Sequence, residues 1–346
     1  MSRLYTNKKA ITNGRTTLPR LFQFVAAAAI SGVAFTASVP AYAGNNITLC
    51  GGSPGGLWSL LGAGIDAAVR KVDPESNVTY QTSSGGFANI VQVNQGKCDL
   101  AIVHVGEVAI AARGEAPFSE PTGGVAAVAL LYNWAPMQWV TDKSFAQENG
   151  IETIGDLAAM DGEYNLVVNR RGILPSILAE KSLEASGMTF EAIEGKGGSV
   201  QFQGSSTASE IMQNGRADTW VNATFVGSGS INSIASKRDL TLLSVSDDVI
   251  AAMQDAYGST AVTIPAGAYE WLDRDIKTFG AQAALIASEG ADPEIVGLVA
   301  KAIYENVGEI QGVHKAMGAF NADLGASITL IDYHPAAAAA IKAAGS

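Results

Sequence analysis

Basic and aromatic residues are both scarce in this chain of 346 residues. Its 22 Lys and Arg residues face 33 Asp and Glu residues, and the net charge of −11 disfavours nucleic acid and anionic membrane surfaces as partners. Aromatic residues make up 7% of the chain, while Ala and Gly are abundant, a composition that suits helices packed tightly on sheets. The length exceeds what one compact core usually serves and predicts two packed units.

The first 43 residues differ from the rest. They hold five of the basic residues and no acid, then an apolar stretch over about 21–39 that ends at Ala41-Tyr42-Ala43. This pattern predicts a cleaved signal peptide over residues 1–43 and a periplasmic mature protein from Gly44, with 17 basic against 33 acidic residues. The alternative is a membrane anchor, which the weakly apolar, Ala-rich stretch disfavours.

Strand and helix patterns alternate from residue 46 onward. Short apolar or β-branched runs predict strands over 46–50, 77–81 and 100–103, and apolar residues at helical spacing predict helices over 57–72 and 87–95. The order β-α-β-α-β predicts an α/β fold in which helices flank parallel sheets.

A short sequence pattern between a helix and a strand occurs twice in the chain. Residues 94–99 and 213–218 both read as a helix end, Gly, a cation, a small residue and Asp, and each precedes an apolar strand. Such an echo is also compatible with any helix-to-strand connection, but together with the length it favours two lobes of like topology. We therefore predict a first lobe over 44–140, a second over 141–262, and a hinged return over 263–346 that completes the first. Residues near 138–142 and 263–267 are the predicted hinge.

Gly51-x-Ser53-x-Gly55 matches the nucleophile elbow of hydrolases and lies between a strand and a helix, as that motif requires. Pro54 follows the serine, however, and proline has no N–H to donate to an oxyanion. The sequence therefore predicts no hydrolase and, since no nucleophile–base pair or metal-ligand spacing occurs elsewhere, no enzyme, metal or cofactor.

Glycine-rich loops follow the first two strands and would let a ligand approach backbone N–H groups at helix N-termini. Because the carboxyl ends of neighbouring parallel strands meet at one edge, the two loops predict a ligand crevice. The predicted contacts are Gly52, Ser53, Gly55, Gly56, Leu57 and Trp58 in the first loop and Ser83, Ser84, Gly85, Gly86 and Phe87 in the second.

Five further polar positions and one tryptophan complete the candidate site. His104 ends the third strand and Glu107 follows it, so the pair either faces the crevice or satisfies local hydrogen bonds. Arg170 and Arg171 end a strand in the second half, where a guanidinium could grip a carboxylate or could simply be solvated. Trp220 and Asn222 lie on a later strand and are included as candidates.

The two cysteines, Cys50 and Cys98, are predicted to be free thiols. One ends the first strand and the other begins the third, which would separate them by about 13 Å along parallel strands. A disulfide needs Cα atoms within about 7 Å of each other.

The order of several motifs resembles the TAXI family of solute receptors for TRAP transporters. The stretches that carry the resemblance are Gly51-Gly52-x-x-Gly55-Gly56-Leu57-Trp58, Ser84-Gly85-Gly86-Phe87-x-Asn89, residues 96–103, Leu130-Leu131-Tyr132 and residues 263–269. The resemblance implies a periplasmic-binding-protein fold, glutamate-like or dicarboxylate ligands, contacts in the two loops and near His104 and Glu107, and delivery to a sodium-driven permease.

The chain departs from the family at Asn169-Arg170-Arg171-Gly172, where the family has a Ser-Gly-Thr turn, so the second-lobe ligand contacts cannot be transferred. The sequence thus predicts a periplasmic solute-binding protein for a small carboxylate, which passes its ligand to a TRAP-type permease. A ligand-sensing module for a membrane receptor and a periplasmic enzyme on the same fold are the alternatives.

Overall fold

The computed structural model describes residues 44–52 and 57–344. The predicted signal peptide and three predicted ligand contacts, Ser53, Gly55 and Gly56, lie outside the described residues. Residues Tyr42–Ser346 form one unit by their contacts. Within the described part of that unit, none of the helices combines the length and apolar character that a membrane span requires.

The first half of the described chain alternates strands and helices as predicted. Its elements are β1 (Asn46–Cys50), α1 (Leu57–Val72), β2 (Asn77–Gln81), α2 (Gly86–Asn94), β3 (Leu100–His104), α3 (Val105–Arg113), β4 (Val125–Asp142), α4 (Lys143–Asn149) and α5 (Ile154–Ala159).

The middle of the chain repeats the alternation. It comprises β5 (Asn165–Val168), α6 (Leu174–Ala185), α7 (Phe190–Gly195), β6 (Ser199–Phe202), α8 (Ser205–Gln213), β7 (Thr219–Ala223), α9 (Gly229–Ala235), β8 (Leu240–Leu243) and α10 (Asp247–Tyr257). The remaining elements are β9 (Thr260–Ile264), β10 (Ile276–Ser288), α11 (Pro293–Glu305), α12 (Val307–Gln311), a 3-10 helix (Lys315–Ala319), α13 (Ala322–Gly325) and α14 (Pro335–Ala344).

One mixed sheet joins the strands in the order β2-β1-β3-β10-β4-β7-β5-β6, with β8 beside β4 and β9 beside β10. Strands β1, β2 and β3 run parallel to one another, and so do β5, β6 and β7. The two long strands β4 and β10 connect these groups: β4 pairs with β10 up to Pro136 and with β7 and β8 from Met137 onward. The predicted α/β architecture of parallel strands flanked by helices is therefore confirmed.

Apolar side chains fill both faces of the sheet, as expected when helices cover parallel strands on both sides. On one face Leu49 and Leu285 pack with α1 and α11 residues, and on the other Val103 and Ile286 pack with α2 and α3 residues. These strand residues are fully buried. The core thus fixes the ends of the strands, where the polar candidates lie.

The prediction of free thiols is wrong, because Cys50 and Cys98 form a disulfide with Cα atoms 5.9 Å apart. The prediction treated Cys98 as an extension of β3, but the strand begins only at Leu100. Cys98 instead lies in the turn from α2, over the sheet face where the side chain of Cys50 packs with Ile90 and Val93 of that helix. The turn therefore brings Cys98 over Cys50.

Candidate functional site

The two groups of parallel strands point their carboxyl ends at each other. His104, the last residue of β3, and Tyr132 of β4 are both register partners of Ala283 on β10. Ala223, the last residue of β7, pairs with Met137 of β4 from the opposite direction. The segment between Tyr132 and Met137 spans roughly 17 Å at about 3.3 Å per residue. This gap between opposed strand ends is the candidate site.

Six helices begin at this gap, since α1, α2, α3, α6, α8 and α9 follow the six opposed strands. Within the described part of the chain, the first turns of α1, α2, α6, α8 and α9 carry no acidic residue, and that of α3 carries Glu107. Six of the eight α-helices that begin elsewhere do start with an acid. Helix N-termini carry partial positive charge, so the gap favours an anion despite the net acidity of the chain.

The first glycine loop is held by a tyrosine from the neighbouring strand. The Tyr80 hydroxyl accepts a hydrogen bond from Gly52 N at 2.6 Å and donates to Gly52 O at 3.1 Å. A Cβ atom at Gly51 would lie 2.2 Å from the same hydroxyl oxygen, so only glycine fits there. The backbone of Gly52 is thereby fixed at the carboxyl end of β1.

Asn89 ties the two glycine loops together. Its fully buried amide donates to Gly51 O at 3.1 Å and to Ile102 O at 2.7 Å. The pairing of β1 with β3 ends at Cys50 and Ala101, and the Asn89 amide donates to the carbonyl of Ile102, the next residue of β3. The Ser83 hydroxyl lies within hydrogen-bond distance of both Gly51 O and Asn89 Oδ1 and has one hydrogen to donate.

The second loop passes directly over the carboxylate of Glu107. Gly85, the N-cap of α2, has φ of 122°, a conformation that glycine adopts readily and other residues rarely do. A Cβ atom at Gly86 would lie 1.6 Å from Glu107 Oε2. Gly85 is therefore favoured by its backbone conformation and Gly86 by the close approach of Glu107, and Ser84 before them is exposed.

Glu107 holds the backbone of His104 and lies close to its imidazole. The Glu107 carboxylate, 2% exposed, accepts a hydrogen bond from His104 N at 2.8 Å, and its other oxygen lies 3.5 Å from His104 Nδ1. The imidazole is 15% exposed and makes no hydrogen bond through Nδ1 among the described residues. The structure brings the two predicted residues together, with Glu107 beneath and His104 at the edge of the gap.

Trp58 covers the same strand ends. Its indole Nε1 donates to the Tyr132 hydroxyl at 3.0 Å, and its ring lies 5.0 Å from that of His104. Burial raises the pKa of Tyr132, with a smaller contribution from the charge of Glu107, so the phenol stays neutral at ordinary pH. Leu57, the preceding residue, is partly buried against the core.

Phe225 reaches this cluster from the second half. It follows β7, and its ring meets that of Tyr132 edge-on at 5.2 Å and stacks on that of His314 at 6.1 Å. Trp134 lies 6.4 Å from Tyr132, and its buried indole N–H has no acceptor among the described residues. Residues from both groups of strands thus meet at the gap.

The second-half strand ends carry a polar chain of amides. Asn169 Nδ2 donates to Asn222 Oδ1 at 2.7 Å, and Asn222 Nδ2 lies 3.4 Å from Ser205 Oγ. Asn169 Oδ1 in turn accepts from the backbone N–H of Arg170 at 2.7 Å. Asn222, a candidate from the sequence, therefore lies near the carboxyl end of β7.

The two predicted arginines have different surroundings, although both are exposed. The guanidinium of Arg171 lies over the ring of Phe202, 3.7 Å from its centroid, a cation–π contact. Within the described residues, the guanidinium of Arg170 has no ion pair or hydrogen bond. Arg170 is therefore a cation available at the second-half strand ends.

Two predicted contacts have their side chains in the core. Trp220 is 1% exposed and packs with Val140 and Ile231, away from the strand end. Phe87 is 8% exposed and packs edge-on against Phe118 at 5.8 Å. Their side chains support the strands and helix that line the gap.

Sequence reasoning did not assign Tyr132, Trp134, Phe225 or Asn89 to the site. Leu130-Leu131-Tyr132 and Asn89 were recognisable only as parts of longer motifs. Trp134 and Phe225 carry no local signal, because their position depends on the pairing of β4 with β10 and β7.

A sequence profile of the NMT1-like family matches residues 49–345. No protein of curated function matches in sequence. In structure, a TctC solute binding protein from Polaromonas is similar with a TM-score of 0.52 at 15% identity, over 87% of this chain and 98% of that one. The periplasmic binding protein BugD gives a TM-score of 0.51 at 15% identity, over 87% and 93% of the two chains. The chain therefore has the periplasmic-binding-protein fold.

Proposed function

Since this chain belongs to the NMT1-like family, we propose that it is a periplasmic solute-binding protein that captures a small carboxylate and delivers it to a TRAP-type permease. The family and the fold support solute binding. The resemblance of the motif order to TAXI receptors supports the choice of transporter and makes glutamate-like amino acids and dicarboxylates the first ligands to test. The proposal assigns no catalytic step.

The observation that carries the ligand class is the convergence of helix N-termini on the gap. Five of the six helices that begin there have no acid in their first turn, in a chain rich in acids. Backbone N–H groups at these ends are available to a carboxylate, and each favourable charge–dipole contact is worth roughly 0.3–1 kcal/mol. Arg170 adds a full positive charge on the second-half side.

The ligand would contact the two glycine loops and the residues around them. On the first-half side we assign Gly52, Trp58, Ser83, Gly85 and His104, with Ser53, Gly55 and Gly56 in the same loop as Gly52. On the second-half side we assign Arg170 and Asn222. Glu107 acts through His104, since it lies beneath the imidazole and Gly86 covers its other side.

The proposed cycle is closure of two lobes about the strands that join them. A ligand that contacts both sets of strand ends stabilises the closed form by the contacts that exist only there. The predicted hinge at Gln138–Asp142 pairs with β7 on one side as far as Thr141. On its other side it pairs with β8 from Trp139 to Asp142. We therefore place the bend a few residues earlier in β4, between Tyr132 and Met137.

Titration of the mature protein with glutamate, aliphatic dicarboxylates, aromatic carboxylates and neutral solutes tests the proposal. At about 100 times the dissociation constant a ligand adds roughly 2.7 kcal/mol of stability, which raises the unfolding midpoint by several degrees. Isothermal titration should then give a single site for at least one carboxylate.

Arg170→Ala is the matching variant, and Arg216→Ala is its control. Both arginines are exposed, but Arg216 lies before β7, at the end remote from the gap. Loss of a charge-assisted hydrogen bond should weaken carboxylate binding roughly 10-fold or more in Arg170→Ala and leave Arg216→Ala unchanged. Binding of neutral solutes alone, or equal effects of the two variants, would contradict the proposed ligand class.

A further inference from the structure

Four aromatic side chains form a wall at the gap. This aromatic wall consists of Trp58, Tyr132, Trp134 and Phe225. Their concentration is notable because the chain as a whole has few aromatic residues. Binding of a carboxylate accounts for the helix N-termini that meet at the gap, but it gives the aromatic wall no role.

Trp58 is held rigidly at its inner side. Its N–H is taken by the Tyr132 hydroxyl, its ring contacts that of His104, and its Cε3 lies 3.4 Å from where a Cβ of Gly52 would be. The side chain is nevertheless only partly buried. A fixed, partly exposed indole loses little conformational entropy on binding a flat ligand group.

The sheet register aligns the two residues that contact this indole. Ala283 on β10 is the register partner of both His104 and Tyr132, and it is fully buried. The position of Trp58 is therefore set by its contacts with residues of β3 and β4.

Phe225 brings an aromatic ring from the second half to the same place. It meets Tyr132 edge-on at 5.2 Å and is itself only partly buried. Since Phe225 follows β7, closure about the gap would move it relative to Trp58. A planar group that lies on Trp58 can thus be contacted from both sides of the gap.

We propose that the ligand is a ring-bearing carboxylate, whose planar unsaturated ring lies on the aromatic wall while its carboxylate faces the helix N-termini. This inference rests on the proposed function and narrows it, since an aliphatic chain would leave the partly exposed indole of Trp58 without a stacking partner.

Matched pairs of acids test the inference, for example benzoate against cyclohexanecarboxylate and phthalate against cyclohexane-1,2-dicarboxylate. The members of each pair have equal charge and similar size but differ in planarity. Isothermal titration of the mature protein should show the aromatic member binding roughly 2- to 10-fold more tightly, the range that aromatic pairing contributes beyond area burial.

Trp58→Leu should abolish this preference, and Trp58→Phe should retain most of it. Trp271→Leu is the control, because Trp271 is also partly buried but stacks on Tyr269 in the second-half core. Equal affinity for the two members of each pair would overturn the inference while leaving the proposed function intact. Failure of every carboxylate to bind would overturn both.

Discussion

Replacing Asn89 by alanine should cost this protein far more stability than a single polar contact usually does. The fully buried side-chain amide of Asn89 donates hydrogen bonds to the backbone carbonyls of Gly51 and Ile102. The Ser83 hydroxyl has one hydrogen, which it donates either to Asn89 Oδ1 or to Gly51 O. At about 1 kcal/mol per lost bond, with a further penalty for a carbonyl left buried and unpaired, the expected loss is about 3 kcal/mol. At this chain length that lowers the unfolding midpoint by about 5 °C.

Urea unfolding followed by circular dichroism measures this loss. Asn94→Ala is the matched control, since Asn94 lies on the same helix, is exposed, and donates one side-chain hydrogen bond to Gly123 O at 2.7 Å. We expect less than about 1 kcal/mol there. If Asn89→Ala lies within 1 kcal/mol of the wild type at an unchanged m-value, the amide does not tie the two loops together as described.

Three further outcomes are expected. Gly86→Ala should lose about 2 kcal/mol or more in urea unfolding, because its methyl group would overlap the carboxylate beneath α2, whereas Gly195→Ala, with nothing within 4 Å, should be neutral or slightly stabilising. Reduction of the disulfide should lower the free energy of unfolding by about 4 kcal/mol, as expected for a separation of 48 residues, and a thiol assay on the unreduced protein should find no free thiol. Burial raises the pKa of Tyr269 to about 12, so the stability that its neutral phenol contributes is complete below pH 10 and is lost as the pH rises through 12. The difference in free energy of unfolding between wild type and Tyr269→Phe should therefore narrow between pH 10 and 12. A constant difference would contradict the raised pKa of Tyr269.

The opening of the fold could be predicted from local patterns because each element carries its own signal. The strand over 46–50, the helix over 57–72 and the strand over 77–81 occur at the predicted residues. The length of β4 could not be predicted, since its 18 residues pair with strands that lie far away in sequence, such as Thr219 opposite Thr141. Local pattern gives the elements, and distant pairing decides which of them meet.

The same distinction separates the parts of the site. His104 and the glycine loops were predictable because the carboxyl ends of parallel strands share an edge. Trp220 was placed wrongly relative to the gap, because alternation along a strand does not say which face is covered by helices; its face is covered by α8 and α9 residues. The disulfide was missed because a turn, which has no regular rise, brings Cys98 over the sheet.

The position of β10 between β3 and β4 has a consequence for the order in which the chain can fold. The β3 edge that faces β4 is covered by β10, whose residues follow those of β3 by more than 170 positions. Until that late strand has emerged, an apolar edge of Leu100–His104 stays open to other chains, and an open strand edge is a template for aggregation. A nascent or unfolded chain therefore needs either a partner that shields this edge or a delay in collapse until its carboxyl-terminal quarter is present.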